Sequence, residues 1–429
     1  MSNKIVIGIL GSGTVGSGVL QVIKENGEDI ARRIGRDISV KTVLVRDLTK
    51  KRANMDGIKL TDNVEDIIND PEISIVVELM GGIHPSLDYM LKAMEAGKHI
   101  ITANKDAVAQ FGERLFSMAE KHNVEFKFEA SVGGGIPIIT PLKQCLTANK
   151  ISLIMGIVNG TTNYMLTKMT ADGCDYDEVL QEAQARGYAE ANPAADVEGL
   201  DAARKAAILG SIAFNTRIKL DDVHVEGITK IKAADIAYAK ELGYVIKLLA
   251  VAKDYGEDGV NVRVHPVFLP SSHPLSTVKD VFNAIFLRGN AIGDAMFYGR
   301  GAGSLPTASA VVADIIAVAR NMVIGNTPVT GCTCYNDRRI CPLEETESSY
   351  YIRLWVDDEP GVLGAIATAF GDSDVSLKSV IQTRMVQGHA EIVAVTHVVK
   401  HKKLEKAAEL LRTLSVVYKI CNIIRVEEE

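Results

Sequence analysis

Apolar residues recur along the first third of the chain in short continuous runs: KIVIGIL, ISVKTVLV, ISIVVELM and KHIITAN. VGSGVLQVI, after the first run, and SLDYMLKAMEAG, between the last two, read as helices. Runs rich in β-branched residues suit strands buried on both faces. Their alternation with helices predicts an α/β fold with a doubly wound parallel sheet of the Rossmann type. From about Glu129 the pattern shifts to longer helical stretches and to strands such as KISLIMGIV and NVRVHPVFL, which suits a second, α+β domain. GRGAGSLPTASAVVADIIAVA then opens a helix that returns the chain to the first domain. After a polar, irregular stretch, the six segments YIRLWVD, GVLGAIATAFGDS, VSLKSVIQTRM, HAEIVAVTHVV, KLEKAAELLRTL and VYKICNIIRV read β-α-β-β-α-β, a ferredoxin-like unit. The expected boundaries are residues 1–130 (with the returning helix at about 301–325), 131–300, a linker at 330–349, and 350–429.

Composition narrows the function classes. A length of 429 residues allows two or three domains. The net charge of −7 argues against a nucleic-acid backbone as partner. No apolar run reaches the length of a membrane span, and the start MSNKIVIGILGSG enters a strand directly, without a secretory signal. The expected compartment is the cytoplasm. Cys145, Cys174 and Cys421 sit among apolar neighbours and read as small core residues. CTCYNDRRIC groups Cys332, Cys334 and Cys341, but it lacks the spacing and the fourth ligand of a zinc site and reads as a linker with free thiols.

GILGSGTVG places G-x-G-x-x-G directly after a strand and at the start of a helix. Gly11, Gly13, Thr14, Val15 and Gly16 therefore read as a dinucleotide loop, in which glycines let a pyrophosphate approach the backbone and the helix N-terminus. The second strand ends LVRDLTKKR. Arg46 and the basic residues after it suit the 2′-phosphate of NADP, while the adjacent Asp47 suits a ribose and leaves NAD open.

GYAEANPAADVEGLDAARK leads into AAILGSIAF, which has no charge. A helix is expected from about Asp196 to Phe214. On it Asp201 and Lys205 share a face that continues as Ile208, Leu209 and Ile212. Charges entering an apolar helix are costly unless paired or functional, and desolvation lowers a lysine's pKa. Lys205 therefore reads as an acid/base residue, with Asp201 and Glu190 holding a polar substrate. Lys105 follows a buried strand, at the carboxyl edge where open α/β sheets bind ligands. Glu129 stands before three consecutive glycines, which taken alone read as a tight turn; its exposed carbonyls, with other oxygens, also suit a hard cation.

These segments resemble homoserine dehydrogenase. Ala183 to Lys205 carries the pattern A-x-x-x-G, N-P-x-x-D, G-x-D-x-x-x-K, and NGTTNYML and TANKDAVA are family-like. The resemblance covers about residues 4 to 330. DEPGVLGAIATAF and VSLKSVIQ in the tail resemble an ACT domain, and no kinase-like segment is present. The resemblance implies reduction of L-aspartate 4-semialdehyde to L-homoserine with NAD(P)H, in threonine and methionine biosynthesis. It assigns residues 1–130 to dinucleotide binding and 131–300 to substrate binding and oligomerisation. Lys205 would be the acid/base residue. Glu190, Asp201 and the backbone at Gly187 would hold the amino acid, with Asp196 supporting the site. Lys105 would lie near nicotinamide and substrate, and Gly303 near the cofactor. Glu129 and the carbonyls of Val132, Gly134 and Ile136 would form a monovalent-cation site, for sodium. An amino-acid effector at the ACT domain and a homodimer or homotetramer are also implied. A nucleotide-binding amino-acid sensor without catalysis is the competing reading, against which Lys105, Asp201 and Lys205 stand intact.

Overall fold

The computed structural model describes residues 4–326 and 331–427. The chain begins β1 (Lys4–Leu10), α1 (Thr14–Ile34), β2 (Asp37–Leu44), β3 (Lys59–Thr61), α2 (Glu65–Ile68), β4 (Ile73–Glu78), α3 (Ser86–Glu95), β5 (His99–Thr102), α4 (Lys105–Lys121) and β6 (Phe126–Lys127). It continues β7 (Ile151–Ile157), α5 (Gly160–Asp172), α6 (Tyr176–Ala185), α7 (Ala194–Val197), α8 (Leu200–Ala213), β8 (His224–Val225), α9 (Ala233–Glu241), β9 (Tyr244–Asp254), β10 (Val260–Pro270), β11 (Phe282–Gly289), β12 (Gly293–Arg300) and α10 (Ser304–Ile324). The last part is β13 (Glu347–Val356), α11 (Val362–Gly371), β14 (Leu377–Val386), β15 (His389–Thr396), β16 (Val399–Lys400), α12 (His401–Thr413) and β17 (Val417–Val426). Two compact units result: residues 1–154, 204–221 and 283–337 form the first, and 155–203, 222–282 and 338–429 the second.

In the first unit six strands pair in parallel in the order β3-β2-β1-β4-β5-β6. The continuous apolar runs are explained by burial on both faces: Ile7, Ile9, Ile75, Val77 and Ile101 are all fully buried. Helix α10 packs into this core through Val311, Ile315 and Val318, beside Val19 and Leu20 of α1. Contrary to the sequence expectation, α10 is long and apolar enough to cross a membrane by length and composition. That apolarity is spent on the core cluster.

In the second unit β9-β10-β17-β13-β15-β14 follow one another in a mixed sheet. β9 and β10 are antiparallel, with Ala250 opposite Val264. β10 meets β17 in parallel, with Val267 opposite Arg425 and Phe268 opposite Val426. The order β17-β13-β15-β14 is the fourth, first, third and second strand of the expected ferredoxin-like unit, whose core holds Ile352, Leu354, Ile366, Phe370 and Ile392. Residue 330 of the expected linker lies outside the described residues.

Two sequence readings change. The single helix expected from Asp196 to Phe214 is two helices, α7 and α8, parted at Gly199. Gly199 has φ +84°, and a β-carbon there would stand 3.1 Å from Val225 and 3.2 Å from Val264. The cysteines also differ. Cys145 is exposed and Cys174 and Cys421 are only partly covered, whereas Cys341, placed in the linker, is buried. Apolar neighbours in sequence did not make the first three core residues.

A buried charge network ties the second unit together. Arg353 on β13 donates to Asp235 of α9 at 2.8 Å and to Glu391 of β15 at 3.0 Å. Tyr351 and Asn422 also donate to Asp235, and Tyr238 and Trp355 to Glu391. Removing one member of such a network leaves the others charged and desolvated. Arg353→Met is therefore expected to lower the unfolding free energy by about 3–5 kcal/mol. Urea unfolding followed by circular dichroism measures this, and an unchanged midpoint would refute it.

Candidate active site

The nucleotide loop forms where β1 gives way to α1. Gly11 has φ +100°, and a β-carbon there would come within 2.9 Å of the Leu79 carbonyl oxygen, so the turn requires glycine. Gly13 opens onto free space on its β-carbon side. A cavity of about 530 Å³ adjoins the loop and is lined by Gly11, Ser12, Gly13, Arg46, Lys50 and Arg52, among others. Thr14 and Val15 begin α1, and Gly16 is buried within it. One oxygen of the Asp47 carboxylate, Oδ1, accepts the Thr49 hydroxyl at 2.6 Å and the Thr49 N–H at 2.8 Å. Those bonds, the hydroxyl first, hold its carboxyl below the usual range. Arg46 is exposed and stands in the cavity wall. Gly303 immediately precedes α10, whose Ser304 hydroxyl donates to the Thr14 carbonyl at 2.7 Å.

Lys105 is the first residue of α4, whose N-cap is Asn104. The Asn104 side chain accepts from the Ala107 N–H at 3.1 Å and donates to the Gly82 carbonyl at 2.6 Å. Behind it the buried Glu78 accepts the Thr102 hydroxyl at 2.6 Å and the Met80 N–H at 2.7 Å. These bonds fix the carboxyl ends of β4 and β5, and with them the position of Lys105. Asp106 forms an ion pair with Arg204, so the sequence neighbours of Lys105 and Lys205 are joined. Lys205 itself is half-buried on α8, less deeply than the apolar helix implied, because Ala202, Ala203, Ala206 and Ala207 take the inward positions.

The second unit holds the candidate substrate-binding residues. Asp201 is buried and Asp196 half-buried. One side chain that sequence reasoning did not single out brings them together. Asn159 Nδ2 donates to Asp196 at 2.7 Å and to Asp201 at 2.9 Å. Its Oδ1 accepts from the N–H and the hydroxyl of Thr162 at the start of α5, which fixes the amide's orientation. The signal was present in NGTTN, an N-cap residue directly before a helix. Gly187 and Glu190 are exposed on the loop after α6. Gln184 donates to the Glu190 carbonyl at 3.1 Å, and the Thr161 hydroxyl to the Tyr188 carbonyl at 2.7 Å, so α5 and α6 both hold that loop.

Glu129 is buried in the first unit, and both its carboxylate oxygens are engaged. Oε1 accepts from the N–H groups of Ile138 and Ile139, and Oε2 from that of Thr140, at 2.6, 2.8 and 2.7 Å. Asp314 accepts the Glu129 N–H at 2.9 Å, and burial raises its own carboxyl to about 7. Val132, Gly134 and Ile136 are buried in the turn that follows. Gly134 has φ +54°, and a β-carbon there would meet the Gly301 carbonyl oxygen at 2.3 Å. Among the described residues no group of three or more His, Cys, Asp or Glu side chains is placed to hold a metal ion.

A parallel sheet with a basic-walled nucleotide loop, an α+β part and a ferredoxin-like tail define a dinucleotide-dependent oxidoreductase with an ACT module. Residues 11–129 match the homoserine dehydrogenase NAD-binding domain family, 137–316 the homoserine dehydrogenase family and 350–416 the ACT domain family. A homoserine dehydrogenase of Synechocystis is 46% identical over 98% of this chain and 99% of its own length. A crystal structure of a homoserine dehydrogenase from Thiobacillus denitrificans superposes with a TM-score of 0.95, at 41% identity, over 99% of this chain and 98% of that one. A hyperthermophilic archaeal homoserine dehydrogenase in complex with NADPH is 27% identical, with a TM-score of 0.63 over 73% of this chain and 97% of that one. The chain belongs to the homoserine dehydrogenase family.

The Asn159 clamp makes a direct prediction. Asn159→Leu keeps similar volume but leaves two neighbouring carboxylates without their shared donor. Stability is expected to fall by about 1–3 kcal/mol, the cost of unmaking a buried hydrogen bond. Thermal unfolding reads the loss, and a wild-type melting temperature would show that Asp196 and Asp201 do not depend on the amide.

Proposed function

We propose that this homoserine dehydrogenase reduces L-aspartate 4-semialdehyde to L-homoserine with a preference for NADP(H), using Lys205 as the proton donor. The observation that carries the reading is helix α8, on which Asp201 and Lys205 stand one turn apart, the first buried and the second half-buried. Bound NAD(P)H supplies the hydride. Lys205 neutralises the alkoxide that develops on the aldehyde oxygen and delivers its proton there. Glu190 and Asp201 take the substrate ammonium, with the Gly187 backbone beside them, and Asp196 supports Asp201 through the shared Asn159 amide. Lys105 serves the nicotinamide end of the site.

Arg46, Lys50 and Arg52 in the cleft wall support NADP over NAD, as does the engagement of Asp47 by Thr49. Gly11, Gly13, Thr14, Val15, Gly16 and Gly303 would take the rest of the dinucleotide. For the cation, Glu129 and the carbonyls of Val132, Gly134 and Ile136 are all oxygen donors, which fits a hard monovalent ion such as sodium. The Glu129 carboxylate accepts three N–H bonds and has a lone pair left to share. The ACT module supports binding of an aspartate-family amino acid, which calorimetry with threonine and methionine tests. A cytoplasmic homodimer or homotetramer completes the reading.

NADPH oxidation with aspartate semialdehyde tests the activity, and the Lys205 variants test the mechanism. Lys205→Met is expected to cut turnover by roughly 10²–10⁴ with NADPH affinity unchanged. Lys205→Arg keeps the charge but cannot release a proton near neutral pH, so it is expected to be nearly as slow. Recovery of most of the rate by arginine would reduce Lys205 to a fixed charge.

Arg46→Ala is expected to raise the KM for NADPH by roughly tenfold or more while leaving that for NADH nearly unchanged, since only the 2′-phosphate loses a partner. Equal changes for both cofactors would remove Arg46 as the phosphate reader.

A further inference from the structure

We propose that Cys332 and Cys334 form a peroxide-reactive thiol pair, in which the Cys332 thiolate meets the oxidant and Cys334 closes the disulfide. The two cysteines are separated by one residue, within the first unit. The Cys332 sulfur accepts a hydrogen bond from Arg217 Nη2 at 3.2 Å and lies 3.5 Å from the Cys334 backbone nitrogen, which also donates to it. Cys332 is exposed and Cys334 partly covered, its thiol 3.8 Å from the Ser211 carbonyl of α8. Lys143 donates to the Gly331 carbonyl at 2.9 Å and so brings a second cation to the segment. Reactive thiols are found in accessible, electropositive surroundings of this kind, and sensor cysteines beside a resolving thiol.

The site also has room for the oxidant. A cavity of about 30 Å³ is lined by Cys332, Cys334, Arg217 and Lys143 on its polar side and by residues such as Phe116 and Ile208 on its apolar side. That is enough for a molecule of the size of water or hydrogen peroxide. Hydrogen bonding from Cys334, followed by the charge of Arg217, lowers the Cys332 thiol, while the same bond and burial raise Cys334. The Arg217 guanidinium and the Cys334 N–H, both aimed at the Cys332 sulfur, thus favour the thiolate at Cys332 rather than at Cys334.

The chemistry balances with hydrogen peroxide as oxidant. The Cys332 thiolate attacks one peroxide oxygen, the O–O bond breaks, and the leaving hydroxide takes a proton to become water. The Cys332 sulfur, oxidised by two electrons, is then a sulfenic acid. The Cys334 sulfur attacks it, the S–O bond breaks, and a second water leaves as the disulfide forms. A dithiol reductant reverses the process.

The test uses the full-length protein. Iodoacetamide at near-neutral pH is expected to alkylate Cys332 about tenfold faster than the exposed Cys145, the difference a stabilised thiolate makes. Hydrogen peroxide should convert the peptide containing both cysteines to a species lighter by two hydrogens, restored by dithiothreitol. Cys334→Ser should instead leave a Cys332 sulfenic acid that dimedone traps. Arg217→Met should slow alkylation at Cys332 while leaving the rate at Cys145 unchanged, and Arg217→Lys should retain most of it. Alkylation of Cys332 no faster than Cys145, or peroxide treatment yielding neither disulfide nor dimedone adduct, overturns the proposal.

Discussion

Two carboxylates held side by side by one amide form the constraint on which the second unit's candidate site depends. Asp196 and Asp201 lie on either side of the break at Gly199, and left to themselves they would repel. Asn159 offers both hydrogens of its amide, one to each, and its oxygen is fixed by Thr162. The arrangement needs the break as well as the amide. A continuous helix would set the two aspartates five residues apart on different faces, whereas the left-handed turn at Gly199 redirects the chain between them.

The ferredoxin-like part is joined to the rest of its unit by charge rather than by apolar packing alone. Asp235, on α9, receives hydrogen bonds from Arg353 on β13, Tyr351 on the same strand and Asn422 on β17. The Asn422 amide also reaches the Lys230 carbonyl just before α9. A buried ionic junction often adds less net stability than an apolar one, but losing one partner leaves the others as uncompensated buried charges.

In the first unit the same economy appears at the carboxyl edge of the sheet. Glu78 is fully buried, yet each of its oxygens is satisfied, by Thr102 on one side and by the turn after β4 on the other. Asn104 then caps α4 and bonds back to Gly82. The result is a rigid edge beside the nucleotide cleft, built from three polar side chains on consecutive strands and turns.

The sheet of the first unit, the nucleotide loop and the β-α-β-β-α-β succession of the tail were legible in the amino-acid sequence because their determinants are local. Continuous β-branched runs mark buried parallel strands, and glycines at fixed spacing mark a phosphate-approachable turn. Asp201, Lys205 and Arg46 stand out as candidates for a related reason: a charge in an apolar helix or at a strand end is conspicuous in one dimension. The helix break at Gly199 was not, because glycine alone does not end a helix. The chain leaves the helix there with φ +84°, and the room left by Val225 and Val264, 26 and 65 positions further along the chain, admits a β-carbon only tightly. Asn159 escaped notice because its partners lie 37 and 42 residues away. The cysteines were misplaced because burial depends on which face a segment turns inward, and neighbours in sequence do not report that. Periodicity and spacing decide what each segment can become; only long-range packing decides which polar groups it must satisfy.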